Sequence, residues 1–161
     1  MKSDVYTVLS SRRSVRRFQQ KPVSLDILNQ CVDAGRLAPS AANLQPVQFI
    51  MVTDKKVCAQ IFETLHWAAY IKPEWVPSEN ERPVAYIVIV VEENASPWYV
   101  RDVSYAAGNI VHVAEAEGVG SCILCKIETE QIKEILSVPS EMVVDSVIAL
   151  GYKAEQPVVE D

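Results

Sequence analysis

Residues 84–91 read Val-Ala-Tyr-Ile-Val-Ile-Val-Val, with no charged or amide side chain among them. A strand with one wet face alternates apolar and polar residues. An unbroken apolar run therefore predicts a central strand buried on both faces. Shorter runs at Gln48–Thr53, Ser121–Lys126 and Val143–Leu150 read as its companion strands.

Helical segments fall between them. Ser3 is placed to cap a short helix through Leu9. Ser24 caps a second, with Asp26 favouring its positive end, and Pro39 stops it near Ala38. Asp54 starts a helix expected to reach Trp67, and Asp102 one expected to reach Glu117, where Gly118 ends it. A last helix covers Glu130–Leu136, while Trp67–Arg82, with Pro73 and Pro77 inside it and Pro83 next to it, and Glu92–Arg101 read as irregular. The long helix carries Ala106, Ala107, Gly108, Ala114 and Ala116, small residues that suit a dimer seam. Its His112 reads more readily as a core or interface histidine than as a catalyst.

With 161 residues, 49% hydrophobic and 22% charged, the chain is expected to be one globular domain spanning 1–161. No apolar run reaches a membrane-spanning length, and the N-terminus lacks the apolar core of a signal peptide. The expectation is a cytoplasmic protein with reduced cysteines and no membrane partner. A net charge of −6 argues against nucleic acid. Cys122 and Cys125 have no second Cys or His pair to complete a zinc site, and on a strand they face opposite sides, so no metal is expected.

Against this acidic background, Ser11-Arg12-Arg13-Ser14-Val15-Arg16-Arg17-Phe18 packs four arginines into eight residues. Extended, it points Arg12, Ser14 and Arg16 one way and Arg13, Val15 and Arg17 the other. Two guanidinium forks flanking a hydroxyl suit a phosphate. A solvated basic loop, or arginines paired with acidic neighbours, would have the same composition. A second candidate is the loop Pro39-Ser40-Ala41-Ala42-Asn43-Leu44-Gln45-Pro46. Its amide side chains offer donor and acceptor together, as the edge of a heterocycle requires, though a plain helix-to-strand connection reads the same way. Trp67, Tyr70 and Trp75 form an aromatic group that either lines a pocket for a flat substrate or covers the core.

The arginine stretch and the proline-bracketed loop, in this order and separated by one helix, resemble the FMN-dependent nitroreductase family. Matches continue at Glu81–Val88, along Asp102–Cys122 and at Ala149-Leu150-Gly151-Tyr152, so the resemblance covers nearly the whole chain. It implies an α+β fold with three α/β/α layers, a mixed, largely antiparallel sheet and an intertwined homodimer. It also implies FMN at the dimer interface, held by residues of both subunits. Arg12, Ser14 and Arg16 match the phosphate-binding pattern, with Arg13 beside them. Pro39, Ser40, Ala41, Asn43 and Gln45 match the loop along the flavin ring, and Leu124, Cys125 and Lys126 match the segment that approaches the ring from the other subunit.

Two departures stand out. Cys125-Lys126 occupies positions where the family commonly has Gly-Ala or Glu-Gly, which makes Lys126 a candidate modulator of the ring. The C-terminal segment is short, leaving Lys153 as the basic candidate for the phosphate. The activity implied is hydride transfer from NADH or NADPH through FMN to a nitroaromatic, quinone or similar acceptor, by a ping-pong mechanism. No acid–base pair is needed for that chemistry, because the cofactor carries it. The competing expectation is a flavin-binding or sensing protein of the same fold without turnover.

Overall fold

The computed structural model describes residues 4–68, 75–92 and 94–157. Four strands form one sheet in the order β1-β2-β4-β3: β1 Val47–Val52, β2 Ala85–Glu92, β3 Val119–Leu124 and β4 Met142–Tyr152. Every strand pairing is antiparallel, where a mixed sheet was expected. The parallel element is a single bridge between Ser14 and Ser121, which lays the arginine stretch against the outer edge of β3.

β2 occupies the interior position its sequence predicts, buried from Ala85 to Val91. Tyr86, Val88 and Val90 face one layer, and Ala85, Ile87 and Ile89 the other. The first face is covered by α3 (Lys55–Glu63) and α5 (Thr129–Leu136), and the second by α2 (Leu25–Arg36) and α4 (Tyr99–Ala116). Each large apolar side chain so buried contributes about 1.5–3 kcal/mol. One irregularity breaks the alternation of β4. Ile89 pairs with Ser146 but Val90 pairs with Val144, so Asp145 is an extra residue in a bulge. The bulge lets Val144 and Val147, three apart, both reach the same core.

Local signals set the helix starts. Ser24 accepts from the Ile27 amide, and Asp54 accepts from the amides of Lys56 and Val57. Asp4, rather than Ser3, caps α1 (Val5–Ser11) by accepting from the Thr7 amide; Ser3 lies outside the described residues. α3 stops at Glu63, four residues short of the expected Trp67. Past Thr64 the chain leaves the helix to join the segment after β3: the Thr64 carbonyl accepts from the Glu128 amide, and the His66 amide donates to the Lys126 carbonyl. Conversely, α4 begins three residues before Asp102, which stands in its first turn.

Three glycines mark close approach: Gly35, Gly151 and Gly120, where a Cβ would stand 2.9 Å from Lys153 and 3.0 Å from Val15. A Cβ on Gly35 of α2 would stand 2.9 Å from both Ile110 of α4 and Phe49 of β1. At Gly151 of β4 it would stand 2.9 Å from the Phe18 ring and 3.0 Å from the Phe18 Cβ. Phe18 and Val15 are fully buried, and these two side chains anchor the arginine stretch to the sheet. No described helix is long and apolar enough to cross a membrane.

Candidate functional site

The arginine stretch leaves α1 at Arg12 and crosses the β3–β4 end of the sheet. The Val15 amide donates to the Ser121 carbonyl and the Gln19 amide to the Tyr152 carbonyl, both within 2.9 Å. Glu155 accepts from the backbone amides of Arg16 and Arg17. With the backbone fixed, the four arginines have separate fates. Arg13 folds back, its Nη1 donating to the carbonyls of Ser10 and Arg12 at the end of α1. Arg17 turns out toward Glu81 at 3.5 Å and lies over the Trp75 ring. Arg12 and Arg16 are half-buried, and among the described residues neither guanidinium has a hydrogen-bond or ion-pair partner.

Around these two lie His112 of α4 and Cys122 of β3. Burial lowers the His112 pKa, and the Arg12 charge lowers it further, so the ring is neutral near pH 7. Burial pushes the Cys122 thiol up, against the opposing pull of Arg16 and Arg12. Ser14 is exposed beside them. Two guanidinium groups without an acidic partner among the described residues therefore stand at this edge of the sheet.

The loop from Pro39 to Pro46 is held in a strained shape. Ala42, Asn43 and Gln45 have φ of 49°, 55° and 52°, in the left-handed region that costs a non-glycine residue free energy. Two side-chain acceptors hold it. Ser40 Oγ accepts from the Gln45 amide, and Asp102 Oδ1 accepts from the Ala41 amide at 2.9 Å. Asp102 is 3% exposed, and its Oδ2 has no partner among the described residues. In the sequence Asp102 reads as a helix start and as the first residue of a family-like stretch, with no sign of a bond to the loop. A buried carboxylate reaching 61 residues back has no local signature. Between loop and helices lies a cleft of about 170 Å³ bordered by Pro39, Ser40, Gln45, Gly35, Asp102 and Ala106.

The remaining predicted residues divide. Leu124 is buried in the core, so only its backbone is offered to a neighbour, whereas Cys125 and Lys126 are exposed just past the end of β3. Lys153, expected near a phosphate, donates to both carboxylate oxygens of Glu115 at 2.7 and 2.8 Å. Trp67 is 6% exposed and packs on Phe62 at 5.7 Å between ring centroids, as the core-covering alternative for the aromatic group expects. Trp75 is half-buried under Arg17, and Tyr70 lies outside the described residues.

Comparison with known proteins identifies the family and the fold. The nitroreductase family's sequence profile matches residues 9–152. A Methanothermobacter thermautotrophicus protein provisionally named NADH dehydrogenase/NAD(P)H nitroreductase is 31% identical over 166 aligned positions, covering 99% of this chain and 83% of the relative. The structure of an FMN-dependent nitroreductase from Clostridium difficile R20291 superposes with a TM-score of 0.82 at 26% identity, over 97% of this chain and 91% of the other. The Vibrio harveyi NADPH:FMN oxidoreductase in complex with NAD+ shares the fold, with a TM-score of 0.81 at 20% identity over 99% and 73% of the two chains. The chain belongs to the nitroreductase family of oxidoreductases.

Proposed function

We propose that the protein is an FMN-dependent oxidoreductase that takes electrons from NADH or NADPH and delivers them to a small acceptor such as a nitroaromatic or quinone. The observation that carries this reading is the pair Arg12 and Arg16, two half-buried guanidinium groups without an acidic partner among the described residues. Leaving such groups uncompensated is costly, and an incoming phosphate dianion is the acceptor their planar donors suit. Ser14 adds a hydroxyl on the same stretch. The donor set therefore fits FMN, which when bound supplies the hydride-transfer chemistry.

Each part of the chain has a task in this reading. Arg12 and Arg16 hold the phosphate, while Arg13 and Arg17 shape the stretch through their own partners. The Pro39–Gln45 loop, fixed by Asp102 and Ser40, presents backbone and amide groups to the ring edge. The backbone of Leu124–Lys126 approaches from another side. The exposed Lys126 ammonium stands ready to favour negative charge beside the ring. Lys153 acts indirectly, tying the chain after β4 to α4 through Glu115. Trp75 is the described aromatic left to meet an acceptor.

Two copies are needed to close such a site. The cleft of about 170 Å³ is below the roughly 300–1,000 Å³ of a ligand pocket. In one copy Asp102 and His112 stand ten residues apart on α4, about 15 Å along its axis. Around the same elements, large apolar residues are exposed: Val5, Tyr6 and Leu9 on α1, and Val100 and Tyr105 on α4. Gly108 of α4 has nothing within 4 Å of where a Cβ would stand, leaving room for a facing helix. Light scattering at micromolar concentration is expected to give a dimer, and Gly108→Leu to shift it toward monomer with loss of flavin. A monomeric parent protein would contradict the shared site.

Steady-state kinetics test the activity. If donor and acceptor occupy one site in turn, double-reciprocal plots at several acceptor concentrations should be parallel. Intersecting lines would rule out alternation. No oxidation of either nicotinamide would leave a flavin-binding protein without turnover.

A further inference from the structure

We propose that a second pocket, beside α3 and β2 and separate from the flavin site, binds a small amphiphilic carboxylate. It is a cavity of about 390 Å³ bordered among others by Tyr86, Arg82, Cys58, Phe62, Lys55 and Glu79. The proposed FMN residues lie elsewhere, and none of them borders this cavity. The inference therefore stands independently of the flavin reading.

Two residues on the cavity's border carry polar atoms without a partner among the described residues. Tyr86 is fully buried, yet its hydroxyl has no hydrogen-bond partner among the described residues. Arg82 Nε is likewise buried and unpartnered, although Nη1 of the same guanidinium reaches Glu63 at 3.3 Å. A buried donor without an acceptor is destabilising, and folded chains keep few of them. Arg82 Nε can only donate and the Tyr86 hydroxyl can donate as well as accept, so one added acceptor satisfies both. The cation selects a carboxylate over a neutral carbonyl.

Neighbouring groups reinforce the choice. Burial pushes the Tyr86 phenol upward, and it pushes the Cys58 thiol up to about 11, with the Asp54 charge adding to it; both stay protonated near pH 7. Neither competes as an anion. Lys55 adds a second cation at the cavity; the carboxylates facing the two cations are Glu79 on the border and Glu63 on the outer side of Arg82. Phe62, under the Arg82 guanidinium at 3.9 Å, joins Ala59, Pro83 and Val84 as an apolar wall. The ligand class is thus a carboxylate on a compact apolar body.

The test uses benzoate as probe and benzamide as its uncharged control, with the purified flavin-loaded protein labelled at alanine and valine methyl groups for NMR. Benzoate at millimolar concentration is expected to shift the Ala59 and Val84 methyls saturably, with benzamide at least about tenfold weaker. Tyr86→Phe is expected to weaken benzoate about tenfold without lowering flavin content, and Arg82→Gln to weaken it further. Since Tyr86→Phe removes only an unpartnered hydroxyl, its melting temperature should not fall. Should either variant fail to fold, the other and the benzamide control still decide. Absence of saturable shifts at Ala59 and Val84 overturns the proposal. So do shifts confined to Ala41 and Ala106 beside the flavin loop, equal binding of benzamide, or benzoate affinity unchanged in the folded variants.

Discussion

Replacing Arg12 and Arg16 together with alanine is expected to weaken FMN binding by about 3–6 kcal/mol, since each charged hydrogen-bonding group contributes about 1.5–3 kcal/mol. That corresponds to a loss of roughly two to four orders of magnitude in affinity. The fold should survive, because neither side chain has a partner among the described residues and the buried anchors of the stretch are Val15 and Phe18. Arg13→Ala provides the contrast. Its guanidinium is spent on the carbonyls of Ser10 and Arg12, so flavin content should change far less. Fluorescence titration of the apoprotein with FMN measures both. Undiminished flavin in the double variant would detach the arginine stretch from the phosphate.

The second large effect is steric. Gly151→Val places a branched side chain where even a Cβ would stand 2.9–3.0 Å from Phe18. Phe18 is fully buried and its amide donates to the Glu81 carbonyl at 2.9 Å, so ring and backbone cannot both yield. A loss of about 1–3 kcal/mol is expected from such overpacking. Because Phe18 anchors the segment carrying Arg16, flavin affinity should fall as well, although residue 151 is not among the residues proposed to hold it. Urea unfolding, read with flavin titration, checks both parts. An unchanged midpoint would mean that the sheet edge adapts freely.

What was legible in the sequence was legible because it is local. An unbroken apolar run has one comfortable place in a sheet, and β2 occupies it. Ser24 and Asp54 announce helix starts because a short acceptor side chain reaches the free amides of its own first turn. The misses come from distant partners. Nothing in residues 64–67 says that they will pair with 126–128 and end α3 early. The bulge at Asp145 leaves no mark in a segment that is apolar on both sides of Asp145 and Ser146.

The candidate site divides in the same way. Alternation proposes a shared side for Arg12 and Arg16, and it gives no sign of the return of Arg13 to the end of α1. Nor did the sequence disclose that Asp102 holds the loop at Ala41, or that Glu115 claims Lys153. Residue type and spacing nominate a site; backbone hydrogen bonds from other elements decide which side chains remain free to serve it.

The central claim is that this chain carries FMN and accepts electrons from a nicotinamide. The most direct measurement is the visible absorbance spectrum of the purified protein under anaerobic conditions, before and after adding NADH and then NADPH. The account predicts a flavin spectrum of about one FMN per protomer that bleaches with at least one donor and returns on adding a quinone. A colourless protein that takes up no added FMN would contradict it.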